Sequence, residues 1–406
     1  LHLTMIELKS EALGKSIEVD RVIGHLDGDS DGPTMIFTAG IHGNEPSGVY
    51  ALHQVMEDLR LKATPIHGQV YALSGNLWAL QRGERFHKQD LNRMWTSERM
   101  EVLDSSPNEN EDMQEQRELN ACIEQIMSSS KGPFYFIDLH TTSSETVPFL
   151  TVNDSLLNRK FTEQFPVPII LGIEEYLDGP LLSLINERGF VAFGYEAGSH
   201  NNVESYENHM AFAYLSMHQA GIIEKKDFDV KPYYNQLSSR TTHLKDIFEI
   251  YYRYEISKEE KFVMTPGFLN FQDIKKGTVL ANSNGADVVA DHASRLFMPL
   301  YQNQGNDGFF AVRKIPKSFL LVSAFCRKHR IDKLLPLLPG ISWKSKDKDV
   351  LRVNKRVARV FAKQLFHLMG YRSKTWNKEY LEVRNREAAA RYNEYQNEAW
   401  FRAAFE

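Results

Sequence analysis

His42 and Glu45 stand three residues apart in Ile41-His42-Gly43-Asn44-Glu45, directly after the apolar, β-branched run Thr34-Met35-Ile36-Phe37-Thr38 and its break at Ala39-Gly40. That run reads as a buried strand, so the pair sits at a strand's carboxyl end. Side chains at i and i+3 on one turn face the same way. An imidazole nitrogen and a carboxylate oxygen are half of a tetrahedral zinc site, and zinc hydrolases commonly combine two His with one Glu and a water. A second histidine at another strand end is therefore required. His140 meets that requirement, 95 residues after Glu45 and behind Phe134-Tyr135-Phe136-Ile137-Asp138-Leu139. Glu196 follows a third run of this kind, Phe190-Val191-Ala192-Phe193-Gly194-Tyr195. Each residue alone has a plain structural reading: a lone histidine after a strand usually serves a hydrogen bond, and a lone glutamate can cap a turn. Their shared placement reverses that preference, because ligands of open α/β sheets bind outside the carboxyl ends of the strands.

Strands alternate with helices over residues 34–222, which predicts right-handed crossovers. The expected fold class is α/β, with a mixed, largely parallel sheet covered by helices on both faces. Pro46 near the start of Val49–Met56 marks the first helix. Ser16–Gly24 reads as a strand on an antiparallel edge, and Asp27–Pro33 as a turn. Residues 81–95 are too polar and aperiodic for a core element, and a long charged loop in a compact domain is more often functional than incidental. Residues 96–111 read as an exposed loop. Beyond residue 230 short β-branched and aromatic strands follow one another without intervening helices, and residues 350–368 and 377–404 read as helices, the first with a basic, solvated face. The expected organisation is a catalytic domain over 1–230, a smaller β-rich domain over 231–345 and a C-terminal helical extension over 346–406.

Among 406 residues, 48 Lys and Arg face 53 Asp and Glu, a formal charge of −5. A general nucleic-acid binder needs a basic surface to displace counterions, so that class is excluded. The two cysteines, Cys122 and Cys326, lie far apart in unlike contexts and form no disulfide framework or thiolate metal site. No run approaches the length of an apolar membrane span, and no basic-then-apolar leader opens the chain. A cytoplasmic protein without a membrane or nucleic-acid partner is expected; a homo-oligomer is left open.

Four motifs carry a resemblance. His42-Gly43-Asn44-Glu45, Asp90-Leu91-Asn92-Arg93, Asp138-Leu139-His140 and Glu196-Ala197-Gly198 resemble the aspartoacylase and succinylglutamate desuccinylase family, a branch of the zinc carboxypeptidase-like hydrolases. Their order and spacing cover residues 34–200, and residues 261–310 are similar to that family's second domain. The resemblance implies one Zn2+ per chain on His42, Glu45 and His140, with Glu196 as general base and Arg85, Asn92 and Arg93 in contact with substrate. The residue types agree. Arg85 would face a developing oxyanion, and Arg93 offers a planar fork suited to a carboxylate, with Asn92 beside it. His87 is expected to support the site or face solvent, since a catalytic zinc keeps one position open. His200 receives no role, and Ser143 and Ser144 lack a nucleophile elbow. Two positions depart from the family. Asn186 stands where aspartoacylase grips substrate with an arginine, with Arg188 out of register, and Phe309 or Phe310 stands where a tyrosine closes its pocket.

The expected activity is hydrolysis of a linear amide next to a carboxylate, first as an N-acyl amino acid deacylase acting on a small molecule. A metallocarboxypeptidase cleaving short peptides ranks second, and a catalytically silent metal-containing binding protein third.

Overall fold

The computed structural model describes residues 5–103, 105, 107, 110–354, 363–376 and 379–405. Its centre is an eleven-stranded mixed sheet. From one edge the strands run Val22–Asp27, His67–Ser74, Asp29–Ala39, Phe134–Thr142, Val191–Ser199, Phe149–Val152, Ile169–Leu171, Ile247–Glu255, Asp307–Lys314, Ser294–Phe297 and Asp273–Ile274. The four strands from His67–Ser74 to Val191–Ser199 are mutually parallel. Every residue of Phe134–Thr142 is buried, which explains why this strand reads as a continuous apolar run rather than an alternation. Alternate residues feed two cores. Met35 and Phe37 pack with the helices Ser47–Leu61 and Val203–Gln219, whereas Ile36 packs with Glu111–Ser129 and Leu181–Glu187 on the opposite face. Helices thus cover both faces, as the α/β alternation predicts.

Several expectations change, among them the loop expected over 96–111, where Ser97–Val102 is a helix. The strand expected over 16–24 is two strands: Lys15–Val19 pairs with Ile6–Ser10 in a separate hairpin, and Val22–Asp27 edges the main sheet. The break falls at Arg21, which turns inward to donate to Glu115 and to the carbonyls of Ser74 and Gly75. Most of the expected turn at 27–33 belongs to the long strand Asp29–Ala39, which shifts register between Asp29 and Thr34. Beyond residue 230, Ile247–Glu255 pairs with Ile169–Leu171 and extends the main sheet, while Phe262–Met264, Val279–Ser283 and Ala286–Val289 form a separate three-stranded sheet.

The largest difference lies in the C-terminal segment, where helices are expected. Ile341–Trp343, Val350–Asn354, Tyr371–Trp376 and Tyr380–Asn385 form a four-stranded antiparallel sheet instead. Val350-Leu351-Arg352-Val353 and Tyr380-Leu381-Glu382-Val383 bury alternate residues, the period of a strand rather than of a helix. Of the expected helix over 350–368, only Lys363–Leu368 is observed, and residues 355–362 lie outside the described residues. Within 377–404 the helices are confined to Tyr392–Tyr395 and Ala399–Phe405. No described helix is long and apolar enough to cross a membrane.

Candidate active site

His42, Glu45 and His140 meet at the carboxyl ends of the central strands. Each offers one ligand atom, all within 4.8 Å of one another, and all three side chains are buried. His42 Nδ1 lies 2.9 Å from Glu45 Oε1, and His140 Nδ1 lies 3.1 Å from Glu45 Oε2. The far side of each ring is held by another carboxylate: His42 Nε2 is 3.0 Å from Asp90 Oδ1 and His140 Nε2 is 2.7 Å from Asp138 Oδ2. Asp138 lies two residues before His140, on the same strand face, and accepts a hydrogen bond from Thr38 Oγ1 of the neighbouring strand at 2.7 Å. Carboxylates behind both imidazoles fix the ring orientations and turn the two Nδ1 atoms toward Glu45, the arrangement that supports metal-binding histidines. Donor atoms this close could hold a metal ion, and two nitrogens with one carboxylate are a donor set that zinc accepts.

The protonation pattern shows the same crowding. Burial works against charge on both Glu45 and His140, yet the two imidazoles hold the Glu45 carboxyl well below the usual range. Asp138 and Glu45 hold the His140 imidazolium well above its ordinary value. Beneath His140 the buried His209 is kept neutral, its pKa lowered to about 3 mainly by burial. Its Nε2 donates to the His140 carbonyl at 3.1 Å, and Ser47 Oγ donates to its Nδ1 at 3.2 Å.

Backbone packing delivers the charged loop. A Cβ on Gly43 would sit 2.0 Å from the carbonyl carbon of Ala79, so only glycine lets the helix Leu77–Arg82 come this close. Gly43 N–H also donates to the Arg85 carbonyl at 3.2 Å. The buried Asp112 carboxylate accepts from the backbone of His87, Lys88 and Gln89 and from Asn76, which caps the helix Leu77–Arg82. Arg85 is thereby brought to the centre, 3.5 Å from Glu45 Oε1 and 3.2 Å from Asp90 Oδ2. Arg93 reaches the same cavity and pairs with Asp307 Oδ2 at 3.2 Å, while Asn92 Oδ1 accepts from Leu181 N.

Glu196 completes the group. The register pairs it with His140 on the adjacent parallel strand, and both side chains line the cavity. Its Oε2 is buried and has no protein partner. Burial pushes its carboxyl up to about 8, with the Glu45 charge adding to the effect. A carboxyl neutral up to weakly alkaline pH, set beside a three-ligand cluster, is placed to exchange protons near neutrality.

All seven residues singled out from the sequence line this one cavity: His42, Glu45, Arg85, Asn92, Arg93, His140 and Glu196. Asp90, Asp138, His209 and Asp307 were not singled out as separate site residues. Asp90 and Asp138 stand inside the quoted motifs, and their acidic character is the signal that exposes them as ring-orienting partners. His209 and Asp307 come from distant segments without a local pattern. His200 belongs to the rim, accepting from Thr141 Oγ1 at 2.8 Å through Nδ1 and facing Gln302 Oε1 at 3.1 Å through Nε2. His87 packs against Trp78 and pairs with Glu111 at 3.3 Å, away from the centre. Asn186 is bound to Asn158 and to the carbonyls of Leu182 and Ala192, and Arg188 pairs with Glu124; neither lines the cavity. Phe310 lines it, whereas Phe309 packs against Tyr252 and Tyr254 in a separate core.

Comparison with known proteins agrees with this geometry. The model of the succinylglutamate desuccinylase/aspartoacylase catalytic domain matches residues 31–205. The succinylglutamate desuccinylase of Burkholderia lata is 32% identical over 72 residues, 18% of this chain and 20% of that protein, so the match spans about a fifth of the relative's length. Among solved structures, succinylglutamate desuccinylase from Vibrio cholerae superposes with a TM-score of 0.54 at 15% identity, covering 77% of this chain and 92% of that one. A succinylglutamate desuccinylase/aspartoacylase from Rhodobacter sphaeroides gives 0.54 at 16% identity, covering 77% and 94%. At these identities the structures speak for a shared fold. Residues 31–205, under half of the chain, are thus similar to the succinylglutamate desuccinylase/aspartoacylase catalytic domain, and the chain shares its fold with the solved structures.

Proposed function

We propose that this chain is a zinc-dependent hydrolase that cleaves the amide of an N-acyl amino acid, with His42, Glu45 and His140 holding one zinc per chain. The carrying observation is Glu196: a buried carboxyl with an unpartnered oxygen, in register with His140 and facing the same cavity as the cluster. Zinc bound there supplies Lewis-acid polarisation of the amide carbonyl and acidifies a water to a pKa of about 7. Glu196 takes a proton from the attacking water and delivers it to the amide nitrogen as the C–N bond breaks, so the water oxygen stays on the acyl carbon. A base that must also act as an acid works best with a pKa near the operating pH, and burial raises the Glu196 carboxyl in that direction. Arg85 faces the oxygen on which negative charge develops, where a fixed cation is worth more in the transition state than in the ground state. Arg93 and Asn92, on the loop that borders the cavity, hold the substrate carboxylate.

The unpaired, buried Cys122 and Cys326 support a reducing, cytoplasmic location. The test is an assay of the zinc-loaded full chain on N-acyl amino acids beside dipeptides. Release of the free amino acid from the acylated compounds is expected. Cleavage of peptides alone identifies a carboxypeptidase, and cleavage of neither identifies a binding protein; both contradict the reading.

A further inference from the structure

The cavity has two unlike halves. On the metal side it is ionic; on the other it is lined by Ile173, Leu177, Leu182, Met298 and Phe310. The Phe193 ring packs instead against Phe161, Phe165 and Phe212 on the opposite face of the sheet. Among the described lining residues the only lysines or arginines are Arg85 and Arg93, and both already face acids of the chain: Arg85 faces Asp90 and Glu45, and Arg93 faces Asp307. Asp307 is in turn held by Arg253 Nε at 2.6 Å, which fixes it opposite Arg93. The neutral polar atoms on this side, such as Thr151 and Ser183, bring no positive charge. Asn186 and Arg188 do not line the cavity and are engaged elsewhere, as described above.

A carboxylate moved into the apolar half would lose its hydration without gaining a cationic partner. An alkyl or aryl group placed there would instead be stabilised by leaving water. Resting on the deacylase reading, we infer that the substrate carries a single carboxylate and an uncharged, apolar side chain or acyl group. Leu182, Met298 and Phe310 set that preference, and dianionic acyl amino acids are rejected.

The experiment compares N-acetyl-L-leucine and N-acetyl-L-phenylalanine with N-acetyl-L-aspartate and N-succinyl-L-glutamate. It reads kcat/KM on the zinc-loaded full chain, and equilibrium binding to zinc-loaded Glu196→Gln by calorimetry. The apolar compounds should lead by at least about tenfold in both, the scale on which apolar pockets discriminate. Leu182→Arg, which puts a cation on the apolar wall, should narrow or invert the ratio. An equal or larger kcat/KM and tighter binding for the acidic compounds overturns the inference and leaves the deacylase reading standing. Tighter binding of the apolar pair without hydrolysis of any compound overturns the deacylase reading and supports the pocket's preference. Absence of both binding and hydrolysis overturns the two together.

Discussion

The molecule buries charge in two places, and they are finished differently. Around Asp154, just beyond the strand Phe149–Val152, three guanidinium groups converge: Arg159, Arg327 and Arg372 contact its oxygens at 2.5–3.2 Å. Burial would raise that carboxyl, but the three arginines hold it well below the usual range. Arg327 also reaches Glu387 at 3.1 Å, and Arg372 reaches Glu175 at 2.7 Å. The cluster ties the C-terminal four-stranded sheet to the wall of the cavity, with Asp154, Glu387 and Glu175 each facing a guanidinium of the chain itself. At His42, Glu45 and His140 the Glu45 carboxylate faces two imidazoles and, at 3.5 Å, Arg85, and beside it the buried Glu196 Oε2 has no hydrogen-bond partner among the described residues. Breaking a buried ion pair is expensive, so arrangements complete within the chain serve the fold. On the function proposed above, an arrangement that a cation and a substrate would complete serves chemistry.

Four experiments break or sharpen this contrast, from the largest effect down. Glu196→Gln should lower kcat by a factor on the order of 10² to 10⁴ in steady-state assays while the protein keeps its zinc, as removal of a general base predicts. In the other cluster, Arg327→Met should cost about 3–5 kcal/mol of unfolding free energy in denaturant titrations. The folded variant should bind zinc as tightly as the parent; a weakened metal site would show that the two clusters are one. Asp138→Asn removes the carboxylate behind His140 and should weaken zinc binding by roughly 10- to 100-fold in a chelator competition.

The smallest effect is one of pH. In the metal-free protein Glu196 stays protonated up to about 8, whereas the free carboxyl ionises near 4.5. Between those values the folded state binds the extra proton, so its stability falls as pH rises and the loss is complete above the folded pKa. Glu196→Gln has no such proton. Metal-free wild type should therefore lose about 1 kcal/mol or more relative to this variant between pH 5 and 8, measured by parallel denaturant titrations.

Much of the site is legible in the sequence because its ligands follow strands that announce themselves. Phe134–Leu139 and Val191–Tyr195 are apolar on both faces, so their ends, and the His140 and Glu196 they deliver, are easy to place. The partners that complete the site are less visible. Asp307 meets Arg93 across 214 residues, a pairing set by how the sheet continues past Ile247–Glu255 and not by any local pattern. The C-terminal segment misleads for a different reason. Its alanines, glutamates and arginines favour helix, yet Leu381 and Val383 are buried at alternate positions against Leu351 and Val353, and packing overrides intrinsic preference.

Zinc stoichiometry measured on purified full-length wild type, His42→Ala, His140→Ala and Glu196→Gln tests the central claim most directly. One equivalent per chain is expected in the wild type and in Glu196→Gln, with loss of stoichiometric zinc in both histidine variants. Zinc retained at one equivalent without either imidazole, or lost when Glu196 becomes glutamine, would contradict the assignment of the centre.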